Sequence, residues 1–213
     1  MKEKIYTIPI SEAFERPDGC PLCALREKLE ADSVEYILGA AMMEPDVRMQ
    51  VNRHGFCARH LGEMTGRQKR LSLALMLESI LARLRDTGAD GLKNMDCYVC
   101  RRVDDFLQHF LENIVLMWRT EPEFKDKLAA RAMCLPHAAA LLETSGQTLG
   151  RREQKAFGEM IENTLLQQVG ALHGDVSAFC KSFDHRNASQ VLGEEARTAV
   201  ERAVLFLGGE NPS

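Results

Sequence analysis

Six cysteines and two histidines in this chain stand at spacings that suit a soft metal ion. Cys20 and Cys23 are followed, after 33 residues, by Cys57 and His60, and Cys97 and Cys100 are followed at the same interval by Cys134 and His137. The second set lies 77 residues after the first at all four positions, with no insertion or deletion. Residues three apart share a helical face, so each Cys-x2-Cys and each Cys-x2-His offers two ligands in one direction. At a helix N-terminus the dipole and the free N–H groups favour thiolate over thiol. Four soft donors with no position left open for water is the pattern of a structural zinc site.

The elements that must position these ligands repeat as well. Between residues 20 and 60 and their partners at offset 77, eight of 41 positions are identical, including Glu35 with Glu112, Ile37 with Ile114 and Glu44-Pro45 with Glu121-Pro122. Val99, Val103, Phe106, Leu107, Phe110, Leu111, Ile114 and Val115 form one apolar stripe at helical period. Leu22, Leu25, Leu29, Tyr36 and Ile37 form a weaker version in the first copy. Helical period recurs around residues 71–84, 160–172 and 196–207, whereas sustained apolar–polar alternation is missing. The pattern predicts an all-α helical bundle of two tandem repeats, 16–90 and 91–170, with a helical tail at 171–213. Thr87-Gly88-Ala89-Asp90-Gly91 reads as the linker between the repeats.

Pro21 and Pro136 mark first helical turns, where a missing N–H costs nothing. A helix over 24–40 runs out about 25 Å at 1.5 Å per residue, Glu44-Pro45 breaks it, and a return helix over 46–54 brings the second pair back. This hairpin predicts two ligand sets, Cys20/Cys23/Cys57/His60 and Cys97/Cys100/Cys134/His137. Spacing alone is equally compatible with sites that take one pair from each repeat. Each half has about 77 residues, a size at which a metal adds needed stability to a small core.

Composition narrows the remaining chemistry. The 213 residues carry 27 Lys and Arg against 31 Asp and Glu, a formal charge of −4, which argues against a dedicated nucleic-acid binder. The first residues mix acid and base with no apolar run, and no segment approaches a membrane span of about 18 apolar residues, so a cytoplasmic protein with reduced thiols is expected. Haem attachment is excluded because Ala24 and Arg101, not His, follow the second cysteines. No zinc-protease, di-iron or phosphate-loop motif occurs. His54, three residues before Cys57, and His109 read as surface or boundary histidines. Cys180, with His173 and His185 nearby, reads as an ordinary thiol rather than a third site.

The opening Lys2-Glu3-Lys4-Ile5-Tyr6-Thr7-Ile8-Pro9, Cys20-Pro21-Leu22-Cys23, Met43-Glu44-Pro45-Asp46 and Gly55-Phe56-Cys57-x2-His60 together resemble a family of uncharacterised bacterial proteins classed only as a domain of unknown function. The resemblance runs through Phe179-Cys180-Lys181 and implies a bacterial cytoplasmic protein, with no activity to carry over.

The expectation is therefore a helical protein that holds two zinc ions and acts by binding a protein partner, with no nucleic acid, no membrane and no catalytic residue assigned. A thiol-based redox sensor or metal-handling protein using the same cysteines is the first alternative. An iron–sulfur protein is the second.

Overall fold

The structure, a computed structural model, describes residues 4–93, 96–184 and 192–209. Among them there are eleven α-helices and no strand: α1 Lys4–Glu15, α2 Pro21–Leu38, α3 Pro45–His54, α4 Ala58–Gly66, α5 Arg70–Thr87, α6 Tyr98–Thr120, α7 Pro122–Ala130, α8 Leu135–Thr148, α9 Arg151–Ser182, α10 Glu194–Arg197 and α11 Ala199–Gly208. No helix is long and apolar enough to cross a membrane.

The duplication is visible in the elements. Shifting α2, α3 and α4 by 77 residues lands their starts on those of α6, α7 and α8. The same buried positions recur: Leu22 and Val99, Ile37 and Ile114, Val51 and Leu128, and Met64 and Leu141 are each no more than 1% exposed. Prolines open α3 and α7 and stand in the first turns of α2 and α8, where an N–H would have no helical partner anyway. The expected linker at 87–91 is a 3-10 turn over Gly88–Leu92, and Gly88 ends α5 with a positive φ of 55°. α1, to which the sequence pattern assigns no helix, forms with Pro9 inside it.

The compact units do not follow the repeat boundaries. One unit comprises residues 1–25 and 109–213, the other residues 26–108. Each therefore takes part of both repeats, and α2 and α6 contribute residues to both units. In the first unit, Ile10, Leu22, Ile114, Val115, Leu128, Leu141, Phe157 and Ile161 are fully buried. Phe14 meets Phe124 edge-on at 5.1 Å, and Trp118 meets Phe157 edge-on at 5.0 Å. The 32 residues of α9 pack on α7, α8, α10 and α11, running without a break through the expected repeat–tail boundary at 170. In the second unit, Val34, Ile37 and Leu38 of α2, Val47 and Val51 of α3, Met64 of α4, Met76 and Ile80 of α5, and Val99 and Val103 of α6 form one apolar cluster.

Candidate metal centres

Four helix N-termini carry the candidate ligands. The carbonyls of Cys20, Cys57, Cys97 and Cys134 accept the first bonds of α2, α4, α6 and α8, from the N–H groups of Ala24, Leu61, Arg101 and Ala138 at 3.0–3.2 Å. Each of these cysteines thus stands at a helix start, and the second ligand of each pair lies three residues on, in the first turn.

The pairs combine across the repeats. Cys20, Cys23, Cys134 and His137 form one group, and Cys57, His60, Cys97 and Cys100 the other, with the four donor atoms of each group all within 4.8 Å of one another. All eight residues singled out by spacing are used, but the within-repeat sets Cys20/Cys23/Cys57/His60 and Cys97/Cys100/Cys134/His137 are replaced by exchanged ones. The physical reason is length and burial. The return helix α3 has 10 residues against 18 in α2, about 15 Å against about 27 Å. Its apolar residues Val47 and Val51 bury with the C-terminal part of α2. The chain therefore stays in that unit, and Cys57 and His60 meet the start of α6 instead. In the other half α7 has 9 residues against 23 in α6.

The donor distances fit a single tetrahedral ion. Bonds of about 2.3 Å to sulfur and 2.0–2.1 Å to nitrogen, at tetrahedral angles, place sulfurs about 3.8 Å apart and sulfur about 3.5 Å from nitrogen. In the first group His137 Nδ1 lies 3.6, 3.4 and 3.1 Å from the Sγ atoms of Cys20, Cys23 and Cys134, and Cys23 and Cys134 are 3.6 Å apart. In the second, His60 Nδ1 lies 3.3, 3.2 and 3.5 Å from Cys57, Cys97 and Cys100, and Cys57 and Cys100 are 4.0 Å apart. Buried apolar cysteines would have no reason to converge with an imidazole nitrogen in this way. The residues present fit a divalent metal, and no donor position is left over.

Protonation follows the same logic. Burial opposes ionisation of Cys57, yet the backbone N–H groups of His60 and Arg59 at the start of α4 and the Cys97 and Cys100 thiols hold its pKa below the ordinary thiol value. Cys100 is pushed up to about 12 by burial and by Cys97 and Cys57. Such like-charge resistance is what a divalent cation relieves. His60 is held low by burial and by Arg59, which keeps it in the neutral, ligating form. Burial opposes protonation of His137, but Cys134 and Cys20 outweigh it and push His137 up to about 9. A proton on that imidazole stands in for a cation, and metal uptake displaces it.

A supporting shell surrounds each group. Beside the second, Arg59 donates two bonds of 2.8 Å to the buried Glu30, which also meets Arg26 at 3.5 Å. The Tyr98 N–H donates to the Gly55 carbonyl at 3.0 Å, tying the start of α6 to the turn that precedes Cys57. Its counterpart at offset 77 is Pro21, which has no N–H. There Arg131 reaches the Pro17, Asp18 and Gly19 carbonyls at 2.9, 3.5 and 3.3 Å and ties the loop before Cys20 instead. Arg131 is the offset-77 counterpart of His54, whose Nδ1 pairs with Asp96 just before Cys97. His54 is therefore not an ordinary boundary histidine. Both residues clasp the segment leading into the other repeat's Cys-x2-Cys, and their shared repeat position is the signal that could have marked them.

The first group has a cover that belongs to the tail. Gly209, buried and with φ of 80°, ends α11 directly over the sulfurs; a Cβ there would stand 3.6 Å from Cys134 Sγ and 3.7 Å from Cys23 Sγ. A cavity of about 560 Å³ opens beside it, lined by Cys20, Cys134, Gln168, Arg202 and Phe206 among others. His109 pairs with Glu112, and its ring lies tilted 5.8 Å from that of Tyr6. Cys180 is exposed and joins no metal-competent group among the described residues. His185, considered with it, lies outside the described residues.

The family described as "Family of unknown function (DUF6062)" matches residues 1–95 and, a second time, residues 87–213. No curated protein and no solved structure matches the chain.

Proposed function

The chain belongs to that family of unknown function, and from its own geometry we propose that it is a structural zinc protein holding two ions, one in Cys20/Cys23/Cys134/His137 and one in Cys57/His60/Cys97/Cys100. The observation that carries this reading is the pair of closed four-donor tetrahedra, with edges matching a single ion bound by three thiolates and one imidazole. In an iron–sulfur cluster the ligands sit on several irons separated by bridging sulfides, which spreads donors further apart than the 4.8 Å limit observed within each group.

Each ion would join a Cys-x2-Cys from one repeat to a Cys-x2-His from the other, so zinc serves the assembly of the repeats rather than a reaction. The protein then acts through a partner that reads the helical surface, in a reducing compartment such as the cytoplasm, where six thiolates remain available to metal. Elemental analysis and an absorption spectrum on anaerobically purified protein test this. Two zinc per chain with no visible absorption is the expected result. Visible charge-transfer bands, or less than one metal per chain, would overturn it.

A further inference from the structure

The two groups have the same donors and nearly the same edges, so they differ chiefly in what covers them. In the first group Cys20, Cys23 and Cys134 are 6%, 6% and 3% exposed and His137 8%, with the end of α11 seated on the sulfurs. In the second, His60 is fully buried and Cys97 is 6% exposed, but Cys57 and Cys100 are both partly exposed. Those two sulfurs also lie 4.0 Å apart, one from each repeat. The asymmetry has a source in the sequence: α10 and α11 follow the second repeat and pack on α8 and α9, and among the described residues no such helices follow the first repeat.

Resting on the zinc reading, we propose that the second centre is a peroxide-responsive zinc thiolate switch, in which Cys57 and Cys100 are oxidised to a disulfide and the ion is released, while the first centre remains a permanent staple. The oxidant is a hydroperoxide. One thiolate of the pair attacks a peroxide oxygen; an S–O bond forms, the O–O bond breaks, hydroxide leaves, and the sulfur becomes a sulfenic acid. The second thiolate then attacks that sulfur, so that an S–S bond forms, the S–O bond breaks and a second hydroxide leaves. Two thiolates lose two electrons in all, and one hydrogen peroxide becomes two hydroxides. With two of its four donors consumed, the ion is left on Cys97 and His60 alone and departs. In forming that S–S bond the sulfurs close from 4.0 Å to about 2.05 Å. A thiol reductant restores the pair and permits zinc to return.

The consequence is topological. The Cys57–Cys100 bond still joins the repeats and holds the first turn of α6 through Cys100, but Cys97 and His60 are freed from the ion, and the residues leading into that turn keep the Tyr98–Gly55 bond and the His54–Asp96 pair. Redox state would thereby set the order of this end of α6 without separating the halves.

The test uses full-length, zinc-loaded Cys180→Ser protein, which removes the exposed thiol that belongs to neither centre. Zinc content is measured first, and a value well below two per chain counts against the zinc reading itself. Hydrogen peroxide is then added while a chromogenic chelator reports free zinc, and the disulfides are mapped by mass spectrometry. The expected result is release of one zinc per chain at least tenfold faster than the other, with Cys57 linked to Cys100 and Cys20, Cys23 and Cys134 still alkylatable after denaturation. With two zinc present at the start, equal release rates, earlier release from the first centre, no release, or a sulfinic acid on Cys57 without a disulfide would each overturn the switch and leave the zinc reading standing.

Discussion

Two double substitutions separate exchanged sites from within-repeat sites by metal content alone. Cys23→Ala with Cys134→Ala removes two donors from one of the two observed groups, although the residues come from different repeats. Cys23→Ala with Cys57→Ala removes one ligand from each centre, although both residues belong to the first repeat. Structural zinc sites bind with about 10–16 kcal/mol at neutral pH, so one ligand of four corresponds to about 3 kcal/mol, or about two orders of magnitude in affinity. Against a chelator that competes weakly with the intact centre, a three-ligand site therefore loses its metal and an untouched four-ligand site keeps it.

The first variant should retain one zinc per chain and the second none. The assay is elemental analysis after equilibration with the chelator, with far-ultraviolet circular dichroism to record how much helix survives. The two single variants, Cys23→Ala and Cys134→Ala, should each retain one zinc. Combining them should remove no further metal, because both act on one ion. Retention of one zinc by Cys23→Ala/Cys57→Ala, together with complete loss from Cys23→Ala/Cys134→Ala, would refute the exchanged pairing and restore the hairpin closure within each repeat.

Further outcomes follow from the surroundings of the two centres. Glu30→Gln leaves Arg59 with a weaker acceptor and should destabilise the protein by about 1–3 kcal/mol, discounted from a fully buried pair because Arg59 is 40% exposed in its side chain; chemical unfolding measures it. Burial would raise the Glu30 carboxyl, but Arg59 outweighs that and holds it below the usual range, so its stabilisation is present above the ordinary glutamate pKa of about 4.3 and is lost as pH falls through the lower folded value. In zinc-stripped protein the raised His137 contributes in the opposite sense: its stabilisation is full below an unfolded pKa of about 6.5 and disappears as pH rises through about 9. Zinc uptake at that centre should release the imidazole proton, which calorimetry in buffers of different ionisation enthalpy detects. Trp118, the single tryptophan, is buried beside Phe157 in the unit that holds the first centre. Zinc removal by a strong chelator should shift its emission to the red, and the peroxide-driven loss of one zinc should leave it unmoved. Gly209→Ala places a side chain at φ of 80° and should destabilise by about 1–2 kcal/mol, loosening the end of α11 and speeding alkylation of Cys23 and Cys134 relative to Cys97.

How much of this is legible in the sequence depends on whether a feature is local. Helix starts at Pro21 and Pro136, the breaks at Glu44-Pro45 and Glu121-Pro122, and the candidacy of all eight residues as ligands follow from nearest neighbours and from the repeated offset. The pairing of the pairs does not. An offset of 77 relates Cys20 to Cys97 and Cys57 to Cys134, but it says nothing about which of two identical partners a Cys-x2-Cys faces. That choice is made where Val47 and Val51 find apolar neighbours, and these lie on the C-terminal part of α2 rather than beside Cys20. α1 escapes for a different reason, since Pro9 interrupts a short segment with little helical patterning that is held by tertiary packing, as at the fully buried Ile10.

His54 and Arg131 show what duplication preserves when residue identity drifts. One is an imidazole paired with a carboxylate, the other a guanidinium on three carbonyls, so a comparison of residue types finds no likeness. Both nevertheless stand three residues before the first ligand of a Cys-x2-His, and both grip the loop leading into the opposite Cys-x2-Cys. The guanidinium also stands where a backbone bond is missing. Pro21 cannot donate as Tyr98 does, and Arg131 makes several contacts where His54 makes one. Arg131→His should therefore weaken the first centre more than His54→Arg weakens the second, because the second retains the Tyr98–Gly55 bond. Zinc off-rates for the two variants measure this directly; equal effects would refute the compensation, and no effect in either would mean that the clasp contributes nothing beyond the ligands themselves.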